Sequence, residues 1–408
     1  MEFVNEKLKL LLLTICIYAI LKKTKKEGKM KISKNIFKMA CTSALMTAAM
    51  FALPVEKAKA AGIQVFTNMS YFNPADMDFV DNFKFSAGAG MINLKSKFTG
   101  TQAGFPGTSK SNTYTYFPYG QAIYRIPCHK KLVVGVDVSN PAYVNFHYKS
   151  SNLSGTQTSL VGRNFSPKAS YQVLENLTLG LGLDILYVAN GKLGLQTPFG
   201  VSRFKGHGST FGWDAGFLWK IVKGSYLSGS YHSKMKVQAH GFNTLANVTN
   251  FSSVGAAIPD TFTLNYLQYF SKNWLVNFNG RYVLWKKAAK SLILRNFAVI
   301  GTTTIPLNYK NAWVGQIYTR YQFACQWAAL GFVEYDSNPQ PKRFRPISLP
   351  ADQVWIGGLG IQYLPTPNIE TQLSGGVAFS NPKLVRQPTV GKDKIRAPFV
   401  DVRFTYKF

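Results

Sequence analysis

The chain has 408 residues, 14% aromatic and only 16% charged, with 47 Lys and Arg against 18 Asp and Glu. Two or three soluble domains would fit that length, but no Pro/Ser-rich linker divides the chain and aromatic-rich alternation runs nearly from end to end, so one large all-β unit fits better. The basic excess would suit nucleic acid, yet an exported chain rarely meets any, and anionic lipid head groups or an anionic ligand are the expected counter-charges.

Export is read from the first 60 residues. Met30 to Ala60 has a lysine-rich start, an apolar middle and a small-residue end at Ala58-Lys59-Ala60. That pattern is a secretory signal with cleavage before Ala61. Its apolar middle is shorter than the roughly 20 residues of a membrane-spanning helix. Residues 1–29 hold a second apolar run, Leu8 to Leu21, and read as an upstream extension. Setting 1–60 aside removes 12 basic and 4 acidic residues, so the rest stays strongly basic. Residues 61–83 are too irregular for a strand.

Strand-like alternation begins near Lys84. Fourteen candidates follow, centred near Gly90, Ile123, Gly135, Ala169, Gly182, Gly216, Tyr231, Asn265, Asn279, Ile317, Gly331, Leu359, Gly375 and Arg403. The hairpin Phe211 to Val237 shows the pattern best. Phe211, Trp213, Ala215, Phe217, Trp219 and Ile221 share one face, opposite Gly212, Asp214, Gly216 and Lys220. Its second limb sets Leu227, Tyr231, Met235 and Val237 against Ser228, Ser230, His232, Lys234 and Lys236. A period of two means β-strand. The polar face could look at water in a sandwich, or line the lumen of a membrane barrel.

The connections decide between these. Short turns at 128–130, 174–176, 223–225, 271–273, 325–326 and 365–367 alternate with long polar segments at 98–115, 148–161, 190–210, 241–257, 287–309, 336–351 and 381–396. An even strand number with loop length sorted by end is the outer-membrane barrel arrangement; a sandwich has no reason to sort its loops so. The last strand, Ala397 to Phe408, would put Val400, Val402, Phe404, Tyr406 and Phe408 toward lipid. Asp184, Asp214, Arg281, Arg320, Asp401 and Arg403 would point into the lumen as ion pairs. No Gly-x-Ser-x-Gly elbow appears, and the five histidines lack close metal-ligand spacing. The chain is therefore expected not to be an enzyme, and to need no cofactor and no metal.

In these residues the chain resembles the FadL family of outer-membrane transporters for long-chain fatty acids and aromatic hydrocarbons. Asn73-Pro74-Ala75 stands where the family's NPA motif does, just before the first strand. FGWDAGFLWKI and SYHSKMKV resemble two consecutive family strands, as do IPDTFTLNY and NWLVNFNGRYVLW, and the closing third follows in order through SLPADQVWIGGLGIQY. The resemblance implies an N-terminal hatch (here 61–83, shorter than in the family), a fourteen-stranded barrel over 84–408, and lateral release at a kinked third strand. Ser139, Asn140 and Pro141 interrupt that strand, and proline is normally excluded from inner strands. The family's ligand-binding lysine before the tenth strand has no counterpart near Thr304; Lys192, Arg203 and Lys205 are the candidates to hold a carboxylate instead.

Three functions follow: uptake of long-chain fatty acids or similar hydrophobic molecules, an aromatic-hydrocarbon channel, or a surface adhesion barrel. Outer-membrane lipid, lipopolysaccharide and the barrel-assembly machinery are the expected partners of a monomer. The outer membrane of a Gram-negative bacterium is the expected location.

Overall fold

In the computed structural model, the described residues are 72–408, apart from 103, 150–152, 349, 351, 387 and 388. The leader, the 1–29 extension and residues 61–71 lie outside them. Among the described residues no helix is long and apolar enough to cross a membrane. The chain crosses with strands. They close into one antiparallel barrel of fourteen: β1 (Phe83–Gln102), β2 (Phe105–Arg125), β3 (Leu132–His147), β4 (Gln157–Leu174), β5 (Leu177–Thr197) and β6 (Gly200–Val222). Next come β7 (Ser225–His232 with Met235–Leu245), β8 (Val248–Ile258 with Thr261–Tyr269), β9 (Trp274–Val283 with Ser291–Phe297) and β10 (Gly301–Pro306 with Ala312–Ala324). β11 (Trp327–Asp336), β12 (Val354–Thr366), β13 (Ile369–Ser380 with Lys383–Arg386) and β14 (Thr389–Lys407) complete the wall. β14 pairs with β1, from Lys84↔Lys407 to Gln102↔Thr389, so the sheet closes on itself from first strand to last.

The alternation sorts side chains as a bilayer requires. Leu179, Leu181, Leu183 and Tyr187 of β5 are exposed on the outer wall, while Asp184 is fully buried on the inner one. Aromatics ring the wall: Tyr231 stacks obliquely between Trp213 and Phe262, and Tyr335 between Trp313 and Trp355, at 4.8–5.0 Å between centroids. On the other side of the apolar band Phe270 stacks on Trp274 and Trp327 on Tyr363. Such girdles mark the two interfaces of a membrane barrel.

Two expectations are corrected. The long polar segments are mostly not loops. β1, β2, β5 and β6 run 20 to 23 residues, about twice the 9–11 a tilted span needs. They rise past the membrane and close in tight turns with Gly104 and Gly200 at positive φ, as β7 and β8 do through Ala246 and Asn247. Polar composition was mistaken for loop because strands above the bilayer no longer need an apolar face.

The second correction concerns β7. Met235 and Val237 do not continue the outer row of Leu227 and Tyr231; they are buried inside, and Lys236 is exposed outside. Between Asp214↔His232 and His207↔His240 the pairing slips by one residue, and a one-residue bulge turns every later side chain to the other face. Ser233 fills the break: its N–H donates to the Trp213 carbonyl at 2.9 Å, and its Oγ accepts from Trp213 N–H at 2.8 Å.

Cys128 follows β2 and Cys325 follows β10, both free and exposed in turns at one rim. They stand six strands apart by the shorter way round, at about 4.8 Å per strand, whereas a disulfide needs Cα atoms within about 7 Å. Non-reducing mass spectrometry of the monomer should therefore give two alkylatable thiols; a bridged species would overturn the strand order.

Candidate functional site

The site is built from a plug, a cavity and a broken seam in the wall. The plug is a short 3-10 helix, Pro74–Phe79. Asn73 caps it: its Oδ1 accepts from Ala75 N–H at 3.1 Å, and its Nδ2 donates to Asp76 Oδ1 at 3.0 Å and to the Phe217 carbonyl of β6 at 3.2 Å. Pro74 sits where a helix tolerates proline, since the first N–H has no partner there anyway. The wall makes room with two glycines paired across β5 and β6, Gly180↔Gly216. A Cβ on Gly180 would come within 2.6 Å of Ala75 N, and one on Gly216 would collide with Asn73 Oδ1.

Charges clamp the far end of the plug. Asp78 accepts from Arg125 at 2.8 Å, Lys220 at 2.6 Å and Thr178 at 3.0 Å. Arg125 also donates to the Val80 and Asp78 carbonyls. Burial would raise the Asp78 carboxyl, but bonds and charges from Lys220 and Arg125 outweigh it and hold the group below its ordinary value. Met77 packs beneath with Ile123, Val133 and Val80.

Asp76 behaves oppositely. Part of its surface opens to the cavity, yet protein encloses it, and this desolvation lifts its carboxyl from 3.8 to about 7 against bonds from Ser228 and Asn73 and the charge of Lys84. Between those two values the folded state holds a proton that the unfolded chain has released, so stability falls as pH rises. The midpoint of thermal unfolding in detergent should drop more from pH 5 to pH 8 in wild type than in Asp76→Asn. Equal drops would show that Asp76 does not titrate in this window.

Above the plug lies a cavity of about 700 Å3, within the roughly 300–1,000 Å3 usual for small-molecule sites. Its floor carries Phe72 and Phe79, and its upper wall Leu160, Val188, Leu193, Phe204, Val237 and Ile305. Val237 faces inward only because of the bulge in β7. Val138, Ser139, Pro141 and Val144 of β3 border the cavity as well.

At that border the barrel wall is incomplete. Pairing of β2 with β3 stops at Gly120↔Val138, and only an isolated bridge, Ser111↔Tyr148, resumes it. On the other side, β3 slips by one residue against β4 between Ser139 and Ala142. Both Ser139 and Asn140 are thus buried, and Phe146 turns inward. Side chains stitch the seam: Asn140 Nδ2 donates to the Pro118 carbonyl at 2.9 Å, Asn145 Nδ2 to Thr115 Oγ1 at 3.0 Å, and His147 N–H to Ser111 Oγ at 2.7 Å.

The outer membrane protein transport proteins described as OMPP1/FadL/TodX match residues 35–394 of this sequence. The chain belongs to that family. It is 21% identical over 371 residues to the long-chain fatty acid transport protein of Escherichia coli K12, covering 77% of this chain and 82% of that one. Its fold is similar to a crystal structure of a Pseudomonas aeruginosa FadL homologue, with TM-score 0.74, 18% identity, and 87% and 99% of the two chains covered. It is also similar to the Pseudomonas putida toluene transporter TodX, at TM-score 0.66, 14% identity, and 82% and 92% coverage. This OMPP1/FadL/TodX member is an outer-membrane channel for hydrophobic substrates in a Gram-negative bacterium.

The candidate carboxylate-binding residues fall unevenly within that frame. Lys192 borders the cavity; Arg203 and Lys205 are not among its lining residues. A one-residue slip between Val188 and Gly191 turns Lys192 to the outer wall, directly opposite Lys205, and all three cations are exposed. The cavity's guanidinium, Arg281, is paired with Glu334 at 2.9 Å. Arg403 pairs with Glu370 at 3.3 Å, Arg320 donates to Gln362, and Asp401 accepts from Tyr119.

Sequence reasoning missed the plug's partners. Gly180 and Gly216 were visible as inward-parity glycines on neighbouring strands, which was the available signal. Arg125 and Lys220 gave none, because their partner Asp78 is 47 and 142 residues away. Asp184, Asp214 and His232 bring ligand atoms within 4.8 Å of one another from three strands. Lys168 pairs with Asp214 there, so an ammonium already stands where a metal cation would.

Proposed function

We propose that this barrel takes up long-chain fatty acids or similar hydrophobic molecules by diffusion and releases them sideways at the broken seam of β3. One observation carries the proposal: a single, largely apolar cavity extends from the plug to the point where the β2–β3 ladder stops. An acyl chain gains about 0.8 kcal/mol per CH2 on leaving water, enough to hold it without an energy source. Of the three candidate cations, Lys192 alone borders this cavity, and from its outward-facing position it would have to reach back over the wall to meet a carboxylate.

A second ligand class has its own support. Arg281 is already paired with Glu334, and Lys192 is exposed, so a neutral hydrocarbon would fit the apolar walls without any charge partner. Uptake of labelled oleate and of labelled toluene, in a deletion strain with and without the restored gene, separates the two. Fatty-acid transport predicts gene-dependent oleate uptake that Lys192→Ala slows while leaving toluene unchanged. Gene-dependent toluene uptake alone would favour the hydrocarbon channel. Dependence of neither would reject transport of both and favour a surface-interaction barrel.

A further inference from the structure

Outside the lumen, the strongest unexplained feature is a block of like charges across β14, β1 and β2. Lys97 lies directly opposite Lys394 on one side and Lys110 on the other. One step nearer the membrane, Lys95 lies opposite Arg396. All five are exposed on the outer wall. The row continues on both flanks. Lys149 N–H donates to the Lys110 carbonyl, and Lys392 lies opposite Lys383 of β13.

Neighbouring strands stand about 4.8 Å apart, and like charges directly opposite each other destabilise a sheet. Acidic side chains would relieve this, but Asp393, next to Lys394 in the chain, is buried inward and held by Ser96 and Tyr148. Among the described residues these five cations take part in no ion pair. The height of the block is also defined. Below Lys97 and Lys95 on β1 come Asn93, opposite exposed Tyr114 of β2, and then Met91, level with Val400 on β14 and with exposed Tyr116 on β2. Tyr114 and Tyr116 mark the interface, where aromatics gather, and the cations begin immediately above. The short turns and the C-terminus lie at the opposite end, the periplasmic one in this architecture. The block therefore stands at the head-group level of the outer leaflet.

We propose that this face is a binding site for a phosphorylated glycolipid of the outer leaflet, whose phosphates bridge Lys97, Lys110 and Lys394 while its acyl chains lie against Val400, Val402 and Tyr116. Repulsion among the cations persists in the bare protein and is relieved when the lipid is bound. The site is separate from the transport cavity.

The test uses the full barrel in zwitterionic detergent and native mass spectrometry, with three probes: bisphosphorylated lipid A, dephosphorylated lipid A and inorganic phosphate. Wild type should prefer the bisphosphorylated form by at least about tenfold, and millimolar phosphate should not displace it. Lys97→Gln/Lys110→Gln/Lys394→Gln should lose that preference. Freed of repulsion, it should melt no lower than wild type in detergent alone, yet gain less on adding lipid A. Lys286→Gln/Lys287→Gln/Lys290→Gln, with the same loss of charge elsewhere, should behave as wild type. Equal binding of both lipids by wild type, full preference in the first triple variant, or equal loss in the second would overturn the assignment; displacement by phosphate would show a free-anion site instead.

Discussion

Replacing Asn140-Pro141 of β3 by Thr-Val is expected to abolish uptake of labelled oleate while leaving the barrel inserted. Between Gly120↔Val138 and Ser111↔Tyr148 the offset of β2 against β3 changes by one residue. The unpaired stretches are therefore nearly matched in length and could zip together around a single bulge. Two features oppose this in the wild type. Pro141 has no N–H to donate, and Asn140 spends its amide on the Pro118 carbonyl. Bare backbone groups in lipid cost several kcal/mol each, so the chain should close the seam once an N–H is available. Insertion is checked by heat-modifiable mobility on gels, and transport by initial rates in whole cells. A fall of about tenfold or more, equivalent to about 1.4 kcal/mol on the barrier, is the expected result. A correctly inserted variant with the wild-type rate would refute lateral release, and passage down the lumen past the plug would replace it.

The seam also shows how much of this protein the sequence made readable. All fourteen strand centres fall within strands of the barrel, because a wall with lipid on one side and water on the other imposes a strict period of two. The short turns were legible for a related reason: a periplasmic turn has only to reverse the chain, and Lys223-Gly224 or Ser271-Lys272-Asn273 does so with few residues. Above the membrane that constraint lapses. Lys236, Gln238 and His240 face outward there, so hydropathy no longer separates strand from loop. Parity was harder still. A single bulge residue changes the face of everything beyond it, and nothing in SYHSKMKV announces the slip at Ser233. The position of Lys192 was lost the same way, through the slip after Val188. Clusters assembled from distant strands, such as Lys168 with Asp214 and His232, depend on strand register and have no local signature at all.

Parity can be tested where it matters most for stability. Leu359→Arg is expected to destabilise the barrel by about 2–4 kcal/mol, the cost of an Arg facing lipid near the midplane. Leu359 is 76% exposed on the outer wall of β12. Trp355 and Tyr363 stand four residues to either side of it, each stacked on an aromatic of β11 in one of the two girdles. Leu359 is therefore midway between the interfaces, where snorkelling to water is hardest. Val248 supplies the contrast. It is also exposed, at 47%, but it opens β8 opposite Leu245, beside the tight turn that carries the positive φ of Asn247. Depth should thus decide the outcome: Val248→Arg should cost about 0–1 kcal/mol, as at or beyond the interface. Reversible urea unfolding of both variants in lipid vesicles measures the two values directly. Costs of equal size, or a larger one at Val248, would mean that the apolar band does not lie between these girdles, and the outer face of β12 would have to be reassigned.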